Sequence, residues 1–329
     1  MKIQTSIQNV LAQQQLHPVL IDIGASGAAP EVWEPIASMS VYVGFDPDER
    51  EMRDTTGDGF HRHIIVNKAV TGVPDAASVH FFLTKSPFCS STLRPSATVL
   101  DDYLYADLFT IVRETDVPAS TLEATLNDLD LPRMDWLKLD SQGIDLQILQ
   151  SLSKARLDQL LAVDVEPGLL PFYEGENTFC QVHQFLLDAG FWLSDLRVLG
   201  SARMQPATPA ALNAQARSQP LPDFQRQLKH TPGWVEARYL RTLDWLQTRE
   251  DYSLLWTFAL LDWQIGFALD LARRYREAFG EDDIGRAMQS IPLAMLAPDS
   301  TLLSRIKRRV TLPAKRLGRR LLNRIGGHH

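Results

Sequence analysis

Residues 19–27 read VLIDIGASG, and this stretch indicates the fold class. The run Val19–Ile23 is mostly apolar, is bounded by Pro18 and Gly24, and predicts a short strand buried in a parallel sheet. A glycine-containing loop follows, and Pro30 then suits the first position of a helix. A buried strand, a glycine loop and a helix in this order are typical of α/β domains whose loop backbone approaches a nucleotide-containing cofactor.

The same pattern recurs along the chain. Further strands are predicted at residues 41–45, 64–70, 78–83, 134–139, 160–165, 191–196 and 234–240. Helices are predicted at residues 121–128, 145–152 and 178–189. Because strands and helices alternate, we expect an α/β fold with a mostly parallel sheet.

Acidic residues stand at the carboxyl ends of four predicted strands, namely Asp22, Asp46, Asp140 and Glu166. In open α/β sheets the ligand binds in the crevice at that edge. Asp46 comes 22 positions after Gly24, which is the arrangement that places a carboxylate on the ribose diol of a cofactor. Dinucleotides and S-adenosylmethionine are both bound in this way, so the spacing leaves both open.

Two details favour S-adenosylmethionine. The loop lacks the Gly-x-Gly-x-x-Gly spacing of dinucleotide sites. Asp22 would repel a pyrophosphate, whereas it would attract a methionine amine and a sulfonium. The alternatives are structural: Asp22 could brace the loop, and Asp46 could cap a turn ahead of Pro47.

A second motif, LKLDSQGID at residues 137–145, predicts a strand that ends in Asp140, then a turn and a helix. Here the sequence resembles the FkbM family of S-adenosylmethionine-dependent methyltransferases, which carry Glu or Gln at the position of Gln142 and an acid at that of Asp145. Other segments match the family in order: DIGA at 22–25, GFDPD at 44–48, NKAV at 67–70, SSTL at 90–93, VE at 165–166, YEG at 173–175, FLLDAGF at 185–191 and GWVEA at 233–237. The resemblance covers about residues 19–243.

The resemblance implies a class I methyltransferase (Rossmann-like) fold with a seven-stranded sheet, and methyl transfer to oxygen, often a sugar hydroxyl. It implies that Asp22 and the loop residues Gly24, Ala25, Ser26 and Gly27 hold the methionine end of the cofactor. Asp46 would hold the ribose, and Asn67 and Ala69 would border the adenine.

Methyl transfer needs the acceptor oxygen in line with the methyl group, and a base that takes the hydroxyl proton. Asp140 and Glu166 are the first candidates, as a base, as an acceptor clamp or as a shared cation site, and no separate metal site is assigned. The alternative is that Asp140 binds the cofactor amine and Glu166 caps a turn. His183 is a third candidate base, although a single histidine on a helix is more often structural.

Charge is unevenly distributed along the 329 residues. Residues 301–329 contain nine Lys or Arg and no acid, so residues 1–300 carry 24 basic and 40 acidic groups, a net charge of −16. The acidic body argues against nucleic-acid binding. With only two cysteines and no apolar export segment near the start, we expect a cytoplasmic protein.

We divide the chain into four parts: a capping helix (1–17), the cofactor-binding methyltransferase domain (18–243, with an inserted loop at 197–232), a helical appendage (244–300) and a basic amphipathic tail (301–329). The appendage is expected to pack on the domain or on a second copy, because its acidic side chains disfavour a membrane span. The tail has three interpretations: attachment to an anionic membrane surface, capture of an anionic glycan carrier, or a solvated, partly disordered tail.

The function predicted from the sequence is O-methylation of a sugar or glycan hydroxyl with S-adenosylmethionine as cofactor. Two alternatives stay open. One is a non-catalytic module that keeps the methyltransferase fold and binds a partner; the other is an NAD-dependent oxidoreductase, which would share the glycine loop and the ribose carboxylate.

Overall fold

The computed structural model describes residues 3–25, 29–48, 59–209, 211 and 228–297. The strands are β1 Val19–Ile23, β2 Val41–Phe45, β3 Arg62–Val66, β4 Ala69–Val70, β5 Ser78–Thr84, β6 Ile111–Ser120, β7 Trp136–Leu139, β8 Ala162–Val165, β9 Phe191–Ser201 and β10 Thr231–Arg241. The α-helices are α1 Ile3–Gln13, α2 Ala97–Leu100, α3 Leu122–Asp128, α4 Asp145–Ser151, α5 Lys154–Gln159, α6 Phe179–Asp188, α7 Arg249–Leu261, α8 Ile265–Phe279 and α9 Asp283–Leu296.

A seven-stranded sheet forms the centre of the molecule, in the order β3-β2-β1-β7-β8-β10-β9. The first five strands are parallel to one another, and β10 runs antiparallel to both β8 and β9. The prediction of a mostly parallel seven-stranded sheet followed by C-terminal helices is thereby confirmed. The order reverses between β1 and β7, which is the point where open α/β sheets bind ligands.

A second, three-stranded sheet of order β4-β6-β5 is inserted between β3 and β7. The single strand predicted at residues 64–70 was wrong: Lys68 N–H donates to the Val66 carbonyl at 2.9 Å, and the chain turns there from β3 in the main sheet to β4 in the small one. Strand β6 was not predicted. Its positions 112–114 are exposed and mostly polar, so the segment lacks the apolar run expected of a buried strand.

Helices cover both faces of the main sheet, as a buried parallel sheet requires. One face packs against α3, α4 and α6 through residues such as Leu126, Ile148 and Leu186. The other packs against α1, α7, α8 and α9. The expectation that the helices after residue 243 pack on the α/β domain is therefore met. None of the helices in the described ranges is long and apolar enough to cross a membrane.

The inserted loop is shorter than predicted, because β9 continues to Ser201 and β10 begins at Thr231. The basic tail at residues 301–329 lies outside the described residues, and its membrane role and a homo-oligomer through the helices stay predictions.

Candidate active site

The candidate site lies where the strand order reverses, at the carboxyl ends of β1, β2 and β7. The N–H groups of Gly24 and Ala25 both donate to the Phe45 carbonyl, at 2.9 and 3.0 Å, and the Asp140 N–H donates to the Ile23 carbonyl at 3.0 Å. These bonds tie the first residues after β1 and β7 to the ends of neighbouring strands. The loop after β1 is thereby held against the turn that carries Asp140.

Gly24 permits this close approach. Its φ of +80° lies in the region that favours glycine, and a Cβ atom there would lie 2.3 Å from the Asp140 carbonyl oxygen. A side chain at this position would push the two segments apart, so the glycine is required by the shape of the site.

A cavity opens at this edge and contains about 670 Å³ of space, part of it open to solvent. Its apolar wall includes Phe45 at the end of β2, and Phe81 and Phe88 from the small inserted sheet and the loop after it. Its charged groups are Asp46, Asp48, Asp140 and Lys68. Three carboxylates against one ammonium group make the cavity favourable for a cation.

Asp46 lies at the end of β2, 9 % exposed. Its Oδ1 accepts the Asp48 N–H at 2.8 Å. Burial is the main cause that raises the pKa of Asp46 to about 6; the Asp48 N–H opposes this rise, and the charges of Asp48 and Asp140 contribute to it. The carboxylate is therefore placed to accept hydrogen bonds in the cavity, and it is ionised at neutral pH.

Asp140 lines the cavity from the end of β7. Burial raises its pKa, while Lys138 and a hydrogen bond from Gln142 oppose that effect. The Gln142 Nε2 donates to Asp140 Oδ1 at 2.5 Å. This carboxylate is the acid from β7 that reaches the cavity, beside the backbone of the loop after β1.

The position of Asp22 does not suit the interpretation that its carboxylate attracts a cationic cofactor. The residue is 2 % exposed and is not among those that line the cavity. Oδ1 lies 2.8 Å from Lys138 Nζ, and Oδ2 accepts the Tyr42 hydroxyl at 3.1 Å. Burial alone would lower the pKa of Lys138, but the charges of Asp22 and Asp140 outweigh it and raise that pKa. The ammonium group therefore stays charged and neutralises Asp22.

Glu166 follows β8 and is the neighbour of Asp140 in the parallel register, which pairs Leu139 with Val165. It is not among the lining residues of the cavity. Burial and the charges of Asp140 and Glu236 raise its pKa well above the ordinary value. Its backbone N–H donates to Asp145 Oδ2 at 3.1 Å.

Among known families, residues 42–193 match the model described as the methyltransferase FkbM domain. Over this segment, which spans 152 of the 329 residues, the chain is similar to that methyltransferase family. A comparison with curated proteins and one with solved structures gave no match. The matched segment begins in β2 and ends in β9, and the strands on either side of it, β1 and β10, belong to the same sheet.

The matched segment contains six of the eleven predicted site residues, and the structure brings only some of the eleven together. Asp46, Ala69 and Asp140 line the cavity with Gly24, whereas Asn67 does not. Ser26 and Gly27 lie outside the described residues, so their predicted contacts with a cofactor stay predictions. Ala25 donates its N–H to the Phe45 carbonyl and is not among the lining residues of the cavity.

His183 lies on α6, away from the lining of the cavity. Its Nδ1 is 2.9 Å from the Tyr239 hydroxyl, and its ring stacks on Phe179. Both neighbours suit a structural histidine between the helix and β10, which was the alternative to its role as a base.

Two polar residues that position the site were not among the predicted site residues, although both lie in the matched segment. Asp145 Oδ1 accepts the N–H and the hydroxyl of Ser141, and its Oδ2 accepts the Glu166 N–H, so it joins the loops after β7 and β8. Gln142 contacts Asp140 directly. Both stand in the LKLDSQGID motif, and this motif was the available signal.

Among the described residues, no group of three or more His, Cys, Asp or Glu side chains is arranged to hold a metal ion.

Proposed function

We propose that this protein is an S-adenosylmethionine-dependent O-methyltransferase with a class I fold, and that its acceptor is a sugar or glycan hydroxyl. The FkbM domain indicates a methyltransferase family. The observation that carries the choice of cofactor is the charge of the cavity, which is lined by Asp46, Asp48 and Asp140 against Lys68. These carboxylates suit a cofactor with an amine and a sulfonium, and they disfavour the pyrophosphate of a dinucleotide.

The residues present fit this cofactor. Asp46 supplies a buried carboxylate for a ribose diol, and Phe45, Val70 and Phe81 supply an apolar wall for a purine ring. The backbone after β1 reaches the site because Gly24 has no side chain. When bound, S-adenosylmethionine supplies an electrophilic methyl group on its sulfonium.

Asp140 is the residue of this chain that we assign to the acceptor. Its carboxylate can accept the hydrogen bond of a hydroxyl, align the oxygen and receive its proton. Burial raises its pKa, which makes it a better proton acceptor than an exposed aspartate. Glu166, the adjacent carboxyl at the end of β8, is a candidate to share that proton.

Isothermal titration calorimetry with S-adenosylmethionine and with S-adenosylhomocysteine tests the cofactor. The wild-type protein is expected to bind both, and Asp46→Ala to weaken binding by about 100-fold, since a charged hydrogen-bond partner of the ribose is lost. Asp128→Ala is the matched control: this exposed aspartate at the end of α3 should leave binding unchanged. Absence of binding to the wild-type protein would exclude the proposal.

The acceptor is tested with radiolabelled S-adenosylmethionine and glycan-rich lysate fractions. Transfer of label to a glycan, lost in Asp140→Asn, is the expected result. Cofactor binding without transfer to any fraction would instead favour a non-catalytic, partner-binding module.

A further inference from the structure

Gln142 has an unusual backbone conformation in the turn that follows β7. Its φ is +55°, a left-handed value that is uncommon for residues with a side chain, and Gly143 follows at φ +109°. Such a conformation has an energetic cost and persists where surrounding contacts fix it. The contacts of Gln142 show what fixes it.

Three segments of the chain converge on Gln142. Its Nε2 donates to Asp140 Oδ1 at 2.5 Å, its Oε1 accepts the Tyr173 hydroxyl at 2.7 Å, and its backbone carbonyl accepts the Ser91 hydroxyl at 2.6 Å. Tyr173 comes from the loop after β8, and Ser91 comes from the loop after β5. Side chain and backbone are therefore both held.

The orientation of the Gln142 amide follows from Tyr173. A phenol hydroxyl that donates to Oε1 turns the NH₂ group of the amide toward Asp140. The single proton of the Tyr173 hydroxyl has two acceptors nearby, Gln142 Oε1 at 2.7 Å and the Cys89 carbonyl at 3.0 Å, and it points to the nearer one. The Asp140 carboxylate can only accept, so it requires the same orientation of the amide, with Nε2 toward Asp140. Burial raises the pKa of Tyr173 well above its ordinary value, so the proton stays on the phenol.

We propose that Gln142 is a positioning residue for Asp140, which holds the carboxylate toward the cavity and favours its charged form, and that Tyr173 fixes the Gln142 amide for this task. The inference rests on the proposed function, in which Asp140 faces the acceptor. A donor N–H stabilises a carboxylate relative to the neutral acid. A glutamate at position 142 would instead place a second carboxyl against Asp140, and the two would share a proton.

Other charged and titratable groups also face Asp140. They come from its own strand, from β1, β2, α4 and β8, and from the loops after β5 and β8: Lys138, Asp22, Asp46, Asp145, Glu166, Cys89 and Tyr173. Substitutions at Gln142 leave these groups in place, so a change in Asp140 is attributable to the lost donor.

The test is a titration of Asp140 in the protein without cofactor, by NMR of ¹³C-carboxyl-labelled aspartate, with Asp140→Asn to assign the signal. Gln142→Met keeps the length of the side chain and removes its polar atoms; we expect the pKa of Asp140 to rise by about one unit or more. Gln142→Glu should raise it further, and Tyr173→Phe should raise it by less than Gln142→Met.

The matched control is Gln184→Met. Gln184 also donates to an aspartate, Asp188, at 2.9 Å, but on the exposed surface of α6, so its loss should leave the titration of Asp140 unchanged. Far-UV circular dichroism confirms folding, and Tyr173→Phe and Gln142→Glu serve if Gln142→Met does not fold.

An Asp140 pKa within about 0.3 units of the wild-type value in the folded Gln142 variants would overturn the inference. The proposed function is judged separately, by S-adenosylhomocysteine binding to the wild-type protein. If that binding is absent while the Asp140 pKa shifts as expected, Gln142 still positions Asp140 and the proposed function alone fails.

Discussion

The charged form of Asp46 suits ligand binding but lowers the stability of the folded protein. The carboxylate lies among Asp48 and Asp140 in a largely buried place, and burial raises its pKa from 3.8 to about 6. The folded protein therefore binds this proton more tightly than the unfolded chain does. Stability from this group is greatest below pH 3.8 and falls as the pH rises toward 6, by up to about 3 kcal/mol.

Asp46→Asn should stabilise the protein without cofactor at pH 7, by about 2 kcal/mol, because the neutral amide removes the cost of a buried charge. The gain should disappear below about pH 4, where Asp46 is protonated in both states. Urea unfolding at pH 4 and pH 7 measures it, with the exposed Asp128→Asn as control. A variant that is less stable at pH 7 would contradict this account of Asp46.

The sequence placed Asp22, Asp46 and Asp140 correctly at strand ends, because a strand that ends in an acid ahead of a glycine or a turn is a local pattern. It could not show that Lys138 neutralises Asp22. That ion pair depends on the register of β1 against β7, which sets Asp22 beside Lys138 across more than a hundred residues. Register arises from the packing of the whole sheet and has no local signature in the sequence.

At the scale of the elements, one buried side chain, Arg241 of β10, binds the C-terminal ends of both α5 and α6. Its Nε donates to the Leu160 carbonyl at 2.8 Å, and its two terminal nitrogens donate to the carbonyls of Leu157 and Ala189. These are carbonyls at helix ends, which carry partial negative charge. Within the described residues, no backbone N–H donates to those of Leu160 and Ala189, whereas that of Leu157 also accepts the Leu160 N–H at 3.3 Å. The guanidinium group also stacks over Phe191, 3.7 Å from the ring centroid.

Arg241→Met should therefore destabilise the protein by about 3 kcal/mol, since the buried Leu160 carbonyl and the partly buried Ala189 carbonyl lose their donor. The free energy of unfolding in urea is the measurement. Arg273→Met, which removes an exposed arginine of α8 that pairs with Glu277, should change it by less than about 0.5 kcal/mol. Equal effects of the two substitutions would show that Arg241 does not hold the two helix ends.

The elements that were mispredicted belong to the inserted sheet. The FkbM motifs NKAV and SSTL lie on either side of β5, and they gave the order of segments but not their pairing. The paired faces of β5 and β6 are partly exposed, so alternation is weak and the apolar wall that Phe81 and Phe88 add to the cavity was not foreseen. A strand in a small, partly exposed sheet shows a weaker hydrophobic pattern in its sequence than a strand that is buried on both faces.

For the whole molecule, the helices after residue 243 complete the core, although they lie outside the matched FkbM segment. Trp256 of α7 is fully buried, and its Nε1 donates to the Met288 carbonyl of α9 at 2.9 Å. Arg238 of β10 joins the sheet to the end of α7 through Asp262, at 2.9 Å. Helical periodicity predicted these helices, but the face of the main sheet that they cover could be identified only from the structure.

A chain that ends at residue 247 should therefore lose its cooperative unfolding transition and expose the sheet face formed by Leu20, Trp136 and Leu240. The measurements are calorimetry and binding of a hydrophobic dye to the purified protein. Trp256→Ala in the full chain should keep a cooperative transition and lower stability by about 3–5 kcal/mol, because a large buried ring leaves a cavity. If the shortened chain instead unfolds cooperatively and binds S-adenosylhomocysteine like the full chain, the helices are a separable appendage. Folding is expected to depend on these helices because a parallel sheet has to be covered on both faces. On this face, α1 and the 3₁₀-helix Glu31–Met39 cover only part of the sheet, and α7, α8 and α9 cover the rest.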